Sequence, residues 1–195
     1  MRSKAGSRQN PRRNPASPGR RPAYQRYVDM ALARGADEAR VIPAKSVIAA
    51  DWVRFKCQYG CGGYSKRLCC PPRTPTPAET RRVVAEYRHA LIYSYTLTPS
   101  VYRGRQRKMQ RLVAAIERRM FLDGYYKAFG FSAGPCRLCR TCSPDARCRF
   151  PYLARPAMEA CGIDVYATCR NAGIKLEVVT RRGAPFRHVN LVLIE

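Results

Sequence analysis

Four cysteines lie close together in the second half of the chain, and their spacing is typical of a metal site. Two residues separate each of the first three thiols, and five residues separate the third from the fourth. Short gaps of this kind let one loop contact a metal cluster from several sides, as in the run of cysteines that binds a [4Fe–4S] cluster. The last gap in that run has about three residues, so the assignment of thiols to metals stays open here. The predicted ligands are Cys136, Cys139, Cys142 and Cys148.

A second block of cysteines lies earlier in the chain and contains Cys57, Cys61, Cys69 and Cys70. Adjacent side chains in an extended chain point in opposite directions, so Cys69 and Cys70 are not both expected to bind one metal. We predict Cys70, directly before Pro71-Pro72, as the ligand and Cys69 as a packing residue or a spare thiol. Three thiolates, from Cys57, Cys61 and Cys70, would leave one iron of a four-iron cluster open to a substrate or a partner's ligand.

The number of sites and the identity of the metal stay open at this stage. Eight thiols suffice for two four-thiolate sites, and the two blocks could instead share sites between them. Zinc is the alternative metal, because a pair of cysteines separated by two residues supplies half of a tetrahedral zinc site. Each half of a zinc site needs only one such pair, but this loop has three cysteines with two consecutive gaps of two residues. The spacing therefore favours an iron–sulfur cluster over zinc. The remaining cysteines, Cys161 and Cys169, are predicted to be small buried hydrophobic residues.

The chain is strongly basic, with 37 lysine and arginine residues against 13 aspartate and glutamate residues and a formal net charge of +24. Residues 1–22 carry seven of these cations and no acidic residue, which leaves +17 for the remainder. A body this basic attracts polyanions, so RNA, DNA, an anionic membrane surface and an acidic redox partner are all reasonable partners. A compositional bias towards arginine would explain the same charge without any partner.

The sequence also indicates a cellular compartment. No early segment combines a charged start, an apolar run and a cleavage site of small residues, so no secretory signal is predicted. No apolar run approaches eighteen residues, so no membrane span is predicted either. Because cysteines stay reduced and free to bind metals in the cytoplasm, we expect a cytoplasmic protein.

The elements that must position the cysteines follow from the pattern of apolar residues. We predict a disordered basic arm over 1–22, which is rich in arginine, proline, serine and asparagine, and a single domain over 23–195. The alternation of elements predicts an α/β (or α+β) fold, in which a mixed sheet with flanking helices supports two cysteine-rich metal-binding loops. Helices are predicted over 24–33, from Pro77, over 103–122 and from Pro156. Strands are predicted over 39–50 with a break at Pro43, and over 89–97, 125–131, 174–179 and 188–194.

Several side-chain positions follow from the same pattern. The strand over 89–97 is dense in aromatic and branched residues and is expected in the middle of the sheet. The helix over 103–122 has an apolar stripe and an opposite basic face. The helix that begins at Pro77 is expected to turn Val83, Val84 and Tyr87 inward. The glycines expected to adopt positive φ angles around the first metal site are Gly60, Gly62 and Gly63.

The residues around both cysteine blocks resemble those of an uncharacterised family of predicted metal-binding proteins found in prokaryotes. The resemblance covers about residues 24–195, and two positions differ from the family pattern: Ser65, where a glycine follows the tyrosine, and Ala157, commonly a serine. Neither is a predicted ligand. In the first block the matching residues are Lys56-Cys57, Gly60-Cys61, Tyr64 and Cys70-Pro71-Pro72. In the second they are Ala133-Gly134-Pro135-Cys136, Cys139, Cys142, Cys148-Arg149-Phe150-Pro151, Arg155-Pro156, Met158-Glu159-Ala160 and Gly162-Ile163-Asp164-Val165.

The resemblance implies a metal bound by cysteines, with iron–sulfur favoured, and a redox or accessory role without a settled reaction. We therefore predict one or two [4Fe–4S] clusters that serve electron transfer or support a partner enzyme. The alternative is a zinc-stabilised module that binds nucleic acid through the basic arm and the helix over 103–122. The N-terminus of a helix beginning at Pro156 is also expected to face the cysteine loop and donate backbone hydrogen bonds to cluster sulfurs.

Overall fold

One antiparallel sheet of four strands organises the protein, whose computed structural model describes residues 23–195. The arm predicted over 1–22 lies outside these residues. The sheet has the order β1-β2-β4-β3, so the strands that are central in space come from distant parts of the chain. Its strands are β1 (Glu38–Pro43), β2 (His89–Leu97), β3 (Phe129–Phe131) and β4 (Phe186–Leu193). The helices are α1 (Gln25–Leu32), α2 (Trp52–Gly60), α3 (Pro77–Ala85), α4 (Pro99–Leu122) and α5 (Val165–Asn171).

The predicted fold class, helices combined with one sheet, is confirmed. Every strand pair is antiparallel, however, whereas the sequence suggested a mixed sheet. Two short 3₁₀ turns, Ala44–Ser46 and Glu159–Cys161, complete the regular structure of residues 23–195. Since antiparallel strands need no crossover helix between them, the helices pack on the sheet as separate units and the fold is α+β.

Strand β2 lies in the middle of the sheet, as predicted, with β1 on one side and β4 on the other. Its alternating side chains enter two hydrophobic clusters, one on each face of the sheet. Leu91 and Tyr93 face α1 and α4, whereas Ala90 and Ile92 face the segment that carries Met158 and α5. Each fully buried large apolar side chain stabilises the fold by roughly 1.5–3 kcal/mol, so a strand buried on both faces fixes the layers around it.

Helix α4 confirms the predicted helix over 103–122 and begins four residues earlier, at Pro99. Proline fits the first turn of a helix because its missing N–H needs no partner there. The opposite face, which includes Arg105, Arg107 and Lys108, is exposed. The predicted apolar stripe is buried and consists of Met109, Leu112, Val113, Ile116 and Met120.

Helices α1 and α3 also confirm their predictions, and α3 begins with a complete capping box. The Thr76 hydroxyl accepts a hydrogen bond from the Glu79 amide (3.2 Å), and the Glu79 carboxylate accepts one from the Thr76 amide (2.7 Å). Val84 is buried, but the inward direction predicted for Val83 is wrong, since this side chain is 42% exposed. One residue along a helix turns the side chain by about 100°, which carries Val83 away from the sheet.

The predictions for the C-terminal third are partly wrong. No helix begins at Pro156, because the chain there runs beside the end of β3: the Ser132 amide donates to the Pro156 carbonyl and the Met158 amide to the Ser132 carbonyl. Residues 174–179 form no strand, since β4 is already paired on both sides by β2 and β3. The strand predicted over 39–50 is reduced to β1, with one isolated bridge between Ala49 and Ile163. The strand predicted over 125–131 is reduced to β3.

The turn Glu159–Cys161 is held by two threonine side chains from an earlier part of the chain. The Thr74 hydroxyl donates to the Ala160 carbonyl (2.5 Å), and the Thr80 hydroxyl donates to the Cys161 carbonyl (2.7 Å). The turn ends at Gly162, which has a φ of +76°. A Cβ atom at Gly162 would lie 2.5 Å from Cγ of Pro77, so both the backbone angle and the packing require glycine.

We predict that Gly162→Ala lowers the free energy of unfolding by roughly 2–4 kcal/mol, from the left-handed backbone and the contact with Pro77. Urea denaturation measures the change. Gly104→Ala is the matched control, because Gly104 lies in α4 with no atom within 4 Å of the added Cβ. The control should gain about 0.5–1 kcal/mol, and equal midpoints for the two variants would contradict the role of Gly162.

Candidate metal centre

The first thiol group consists of Cys57, Cys61 and Cys70. Cys57 lies in the last turn of α2, and Cys61 is the residue that ends this helix. Cys70 is buried, whereas Cys61 is exposed. The thiol of Cys61 is close to both others, so burial and then the charge of Cys61 raise the pKa of Cys57 and raise that of Cys70 to about 11. The three thiols of the first block therefore influence one another's charge, although they are not arranged to hold a single metal ion.

The loop between Cys61 and Cys70 differs from the prediction in its backbone angles. None of Gly60, Gly62 and Gly63 has a positive φ, and Gly60 is the last residue of α2. Ser65 instead has a φ of +58°, a conformation that glycine adopts most readily. The Ser65 amide donates a hydrogen bond to the Pro71 carbonyl (2.8 Å), which closes the loop between these two residues. The glycine that the family resemblance places at Ser65 fits this angle.

The second thiol group lines one cavity. It contains all four cysteines of the second block together with Cys69 from the first. The apolar side chains of Leu68, Leu138 and Phe150 complete much of the wall. Among residues 23–195, no three His, Cys, Asp or Glu side chains are close enough to hold a single metal ion, and this applies to both thiol groups. The group consists of Cys69, Cys136, Cys139, Cys142 and Cys148.

Cys69 is the residue whose position the sequence did not predict. Its thiol lies beside that of Cys136, and the interaction between the two thiols lowers the pKa of Cys136 and raises that of Cys69. The Leu138 amide lowers the pKa of Cys136 further. The sequence carried no signal for this direction, because residues 67–70 form a turn, in which the Cys70 amide donates to the Arg67 carbonyl (3.1 Å), and not an extended strand.

Helix α4 positions the loop of the second thiol group. The buried side chain of Gln110 donates to the Pro135 carbonyl (2.9 Å) and accepts from the Arg137 amide (2.8 Å). Further along the helix, Glu117 accepts from the Gly130 amide (2.8 Å) and from Nε of Arg155 (2.5 Å). Both partners in this ion pair are largely buried, which strengthens a charged hydrogen bond. The loop is thereby fixed at its beginning and at its end.

All ten cysteines are free thiols, and the structure divides them clearly. Eight belong to the two thiol groups. The other two, Cys161 and Cys169, are completely buried in the hydrophobic cluster beneath the sheet, as predicted. Thiolate sulfur is a soft ligand that selects zinc, copper(I) or iron–sulfur clusters over magnesium and calcium. The donor set of both groups therefore fits a cysteine-bound metal of this kind.

Comparison with known proteins identifies a matching family. A family model described as "Predicted metal-binding protein (DUF2284)" matches residues 40–194. The matched region contains all ten cysteines and every strand except the first two residues of β1. No curated protein and no solved structure matches the chain. In the part of the chain that the structure covers, no helix is long and apolar enough to cross a membrane.

Substitutions should separate the thiol groups from the buried cysteines. Cys70→Ala and Cys142→Ala should each lower the metal bound per chain, because each removes a thiol from one group. Cys169→Ala is the control: it should keep the full metal content and lose about 1 kcal/mol of stability from the lost packing. Elemental analysis of the purified proteins gives the metal content. Loss of metal from Cys169→Ala, or none from both other variants, would contradict the assignment.

Proposed function

Because the chain belongs to the family of predicted metal-binding proteins DUF2284, we propose that its metal is iron, bound as iron–sulfur clusters for electron transfer or for accessory redox service to a partner enzyme. The observation that carries the proposal is the cavity lined by five thiols, four of them from one short loop. A cluster of several irons fills a space between its ligands, whereas a zinc ion draws four sulfurs to about 2.3 Å from one point.

In this proposal each thiol group holds one cluster. Cys136, Cys139, Cys142 and Cys148 are the ligands of the second group, and the first group supplies three thiolates. A bound cluster supplies a centre that accepts and releases one electron at a time. The protein sets its potential through hydrogen bonds to the sulfurs, which here come from the Leu138 amide and the Cys69 thiol. The apolar side chains of Leu68, Leu138 and Phe150 lower the polarity around these sulfurs.

The surface around the thiol groups supports a protein partner with an acidic face. The segments 52–75 and 134–155 carry ten lysine and arginine residues and one acidic residue, Asp145. Beside them, α2 exposes an aromatic stripe: Trp52, Phe55 and Tyr59 are 47%, 63% and 80% exposed. Charge complementarity speeds encounter, and exposed aromatic side chains supply contact area, which suits the small interfaces of transient redox complexes.

A second candidate function is a zinc-stabilised module that binds nucleic acid, and one surface favours it. A groove between the end of α1 and α4 has a volume of about 740 Å³, and no acidic residue lines it. Such a groove attracts a phosphate backbone by charge alone. Its cationic residues are Arg34, Arg105, Arg107, Lys108 and Arg111.

Colour distinguishes the two candidates. Protein purified without oxygen should be brown, contain iron and acid-labile sulfide, and bleach when dithionite reduces it. Absorption spectra and elemental analysis provide the measurement. Colourless protein with stoichiometric zinc would contradict the iron–sulfur proposal. If that protein also bound DNA or RNA with an affinity that falls steeply with salt, the second candidate would replace the first.

Cys69→Ala should keep the iron content and lower the reduction potential of the second group's cluster by on the order of tens of millivolts, since one hydrogen bond to a ligand sulfur is lost. The loss makes the sulfur more electron-rich and disfavours the reduced cluster. Cys69→Ser is the matched control, because its hydroxyl still donates, so it should shift the potential less. Redox titration measures both. Loss of iron from Cys69→Ala would show instead that Cys69 is a ligand.

A further inference from the structure

The basic groove between the end of α1 and α4 gathers cations that have no acidic partner. Its volume is about 740 Å³, and no acidic residue lines it. Arg34 follows the end of α1, and the other four cations belong to α4. Within residues 23–195, none of the five forms an ion pair. They are Arg34, Arg105, Arg107, Lys108 and Arg111.

The cations of α4 repel one another. Arg105, Lys108 and Arg111 are three residues apart, so their side chains lie side by side on the helix surface. Like charges at this spacing destabilise a helix. Further along α4 acidic residues relieve the charge, since Arg119 pairs with Asp123. In the groove only a bound anion would relieve it.

Gly104 is a second unfavourable feature at the same place. It lies in the interior of α4, where glycine is less stable than alanine because it loses more backbone freedom on folding. Packing does not require a glycine there, since a Cβ atom at Gly104 would have no atom of the described residues within 4 Å. The bare backbone at Gly104 therefore leaves room for a group outside the chain to approach the helix closely.

The hydroxyl of Tyr95 is the third unusual feature. Tyr95 lines the groove from strand β2, yet its hydroxyl is buried and has no hydrogen-bond partner in the part of the chain that the structure describes. A buried polar atom of this kind indicates an ordered water or a bound ligand. Proteins keep unfavourable local features mainly where function offsets them, and three such features meet at this groove.

The lining of the groove selects a small phosphorylated ligand. The arginine guanidinium groups present several N–H donors in a geometry that matches phosphate oxygens. Five cations without an acid suit a ligand with more than one phosphate group. The volume is typical of a small-molecule site. Met109, Leu112 and Ala115 line the same groove and offer apolar contacts to an organic group.

Arg107 connects the groove to the second thiol group. It lines the groove, and its Nε donates to the Arg137 carbonyl (3.0 Å), one residue after Cys136. Gln110 of the same helix holds the same loop at Pro135 and Arg137. A ligand in the groove therefore contacts the segment of α4 that positions the thiol loop.

We propose that the basic groove binds a small ligand that carries two or more phosphate groups, such as a nucleoside polyphosphate. The phosphate groups contact the cations, and the organic part lies against Gly104. The inference goes beyond the proposed function and does not depend on which metal the thiols bind.

Isothermal titration calorimetry of the metal-loaded chain tests the proposal with ATP and inorganic pyrophosphate. ATP should bind at low salt with a Kd on the order of 10 μM, and pyrophosphate should compete with it. Gly104→Leu should bind ATP at least about tenfold more weakly, because the leucine side chain fills the groove. This variant should resist urea at least as well as the parent chain, since leucine favours a helix more than glycine does. Weaker binding by a variant of equal or higher stability cannot result from unfolding.

Two charge reversals on α4 separate a specific site from attraction by net charge. Arg111→Glu should also weaken ATP binding at least about tenfold. Arg118→Glu is the matched control, because Arg118 is exposed on the same helix and lies outside the groove. It should leave the Kd within about twofold of the parent value.

Four results would overturn the inference. The parent chain might as a first case fail to bind both ATP and pyrophosphate. Equal ATP affinity in the parent chain and Gly104→Leu would exclude the groove as the site. Equal losses in the two charge reversals would show attraction by net charge alone. Tighter binding of a single-stranded oligonucleotide of about twelve nucleotides, lost in Arg111→Glu, would identify nucleic acid as the occupant. The iron content of the parent protein tests the proposed function separately.

Discussion

Buried carbonyl groups need hydrogen-bond donors, and the carbonyls of the turn Glu159–Cys161 receive theirs from several segments of the chain. Its carbonyls receive the Cys57 thiol from α2, the Thr74 hydroxyl from the cysteine loop and the Thr80 hydroxyl from α3. One short turn thus unites segments that are about a hundred residues apart in the chain. Of the first thiol group, Cys57 contacts this turn directly.

The second thiol group has a different kind of support. Its loop has no regular secondary structure, and its ends are held by Gln110 and Glu117 of α4. A helix of 24 residues packed on the sheet is a rigid element, so it can hold an irregular loop in place by two side chains. Arg155, which is part of the motif shared with the family, acts here as a structural partner of Glu117. One face of α4 therefore organises the metal loop, while its opposite face presents basic side chains to solvent.

Periodic segments were predictable from the sequence, and features that depend on competition between segments were not. The aromatic and branched residues of β2 and the apolar stripe from Met109 to Met120 in α4 were enough to identify both elements from the sequence. Residues 174–179 have the composition of a strand, but the sheet has no free position for them beside β4. The four clustered cysteines were found by spacing, whereas the place of Cys69 depends on the path of the chain between the blocks. Glu159 belongs to the motif Met158-Glu159-Ala160, but only the folded structure shows that its oxygen Oε2 is buried without a hydrogen bond.

The neighbouring residues Cys69 and Cys70 belong to different thiol groups, so one peptide bond joins the two groups along the chain. Their Cα atoms are separated by about 3.8 Å, the distance across one peptide bond. In the proposed arrangement, a covalent route between the two sites runs from Cys70 through this peptide bond to Cys69, whose thiol lies beside that of Cys136. Electron transfer along this route would need no motion of the chain.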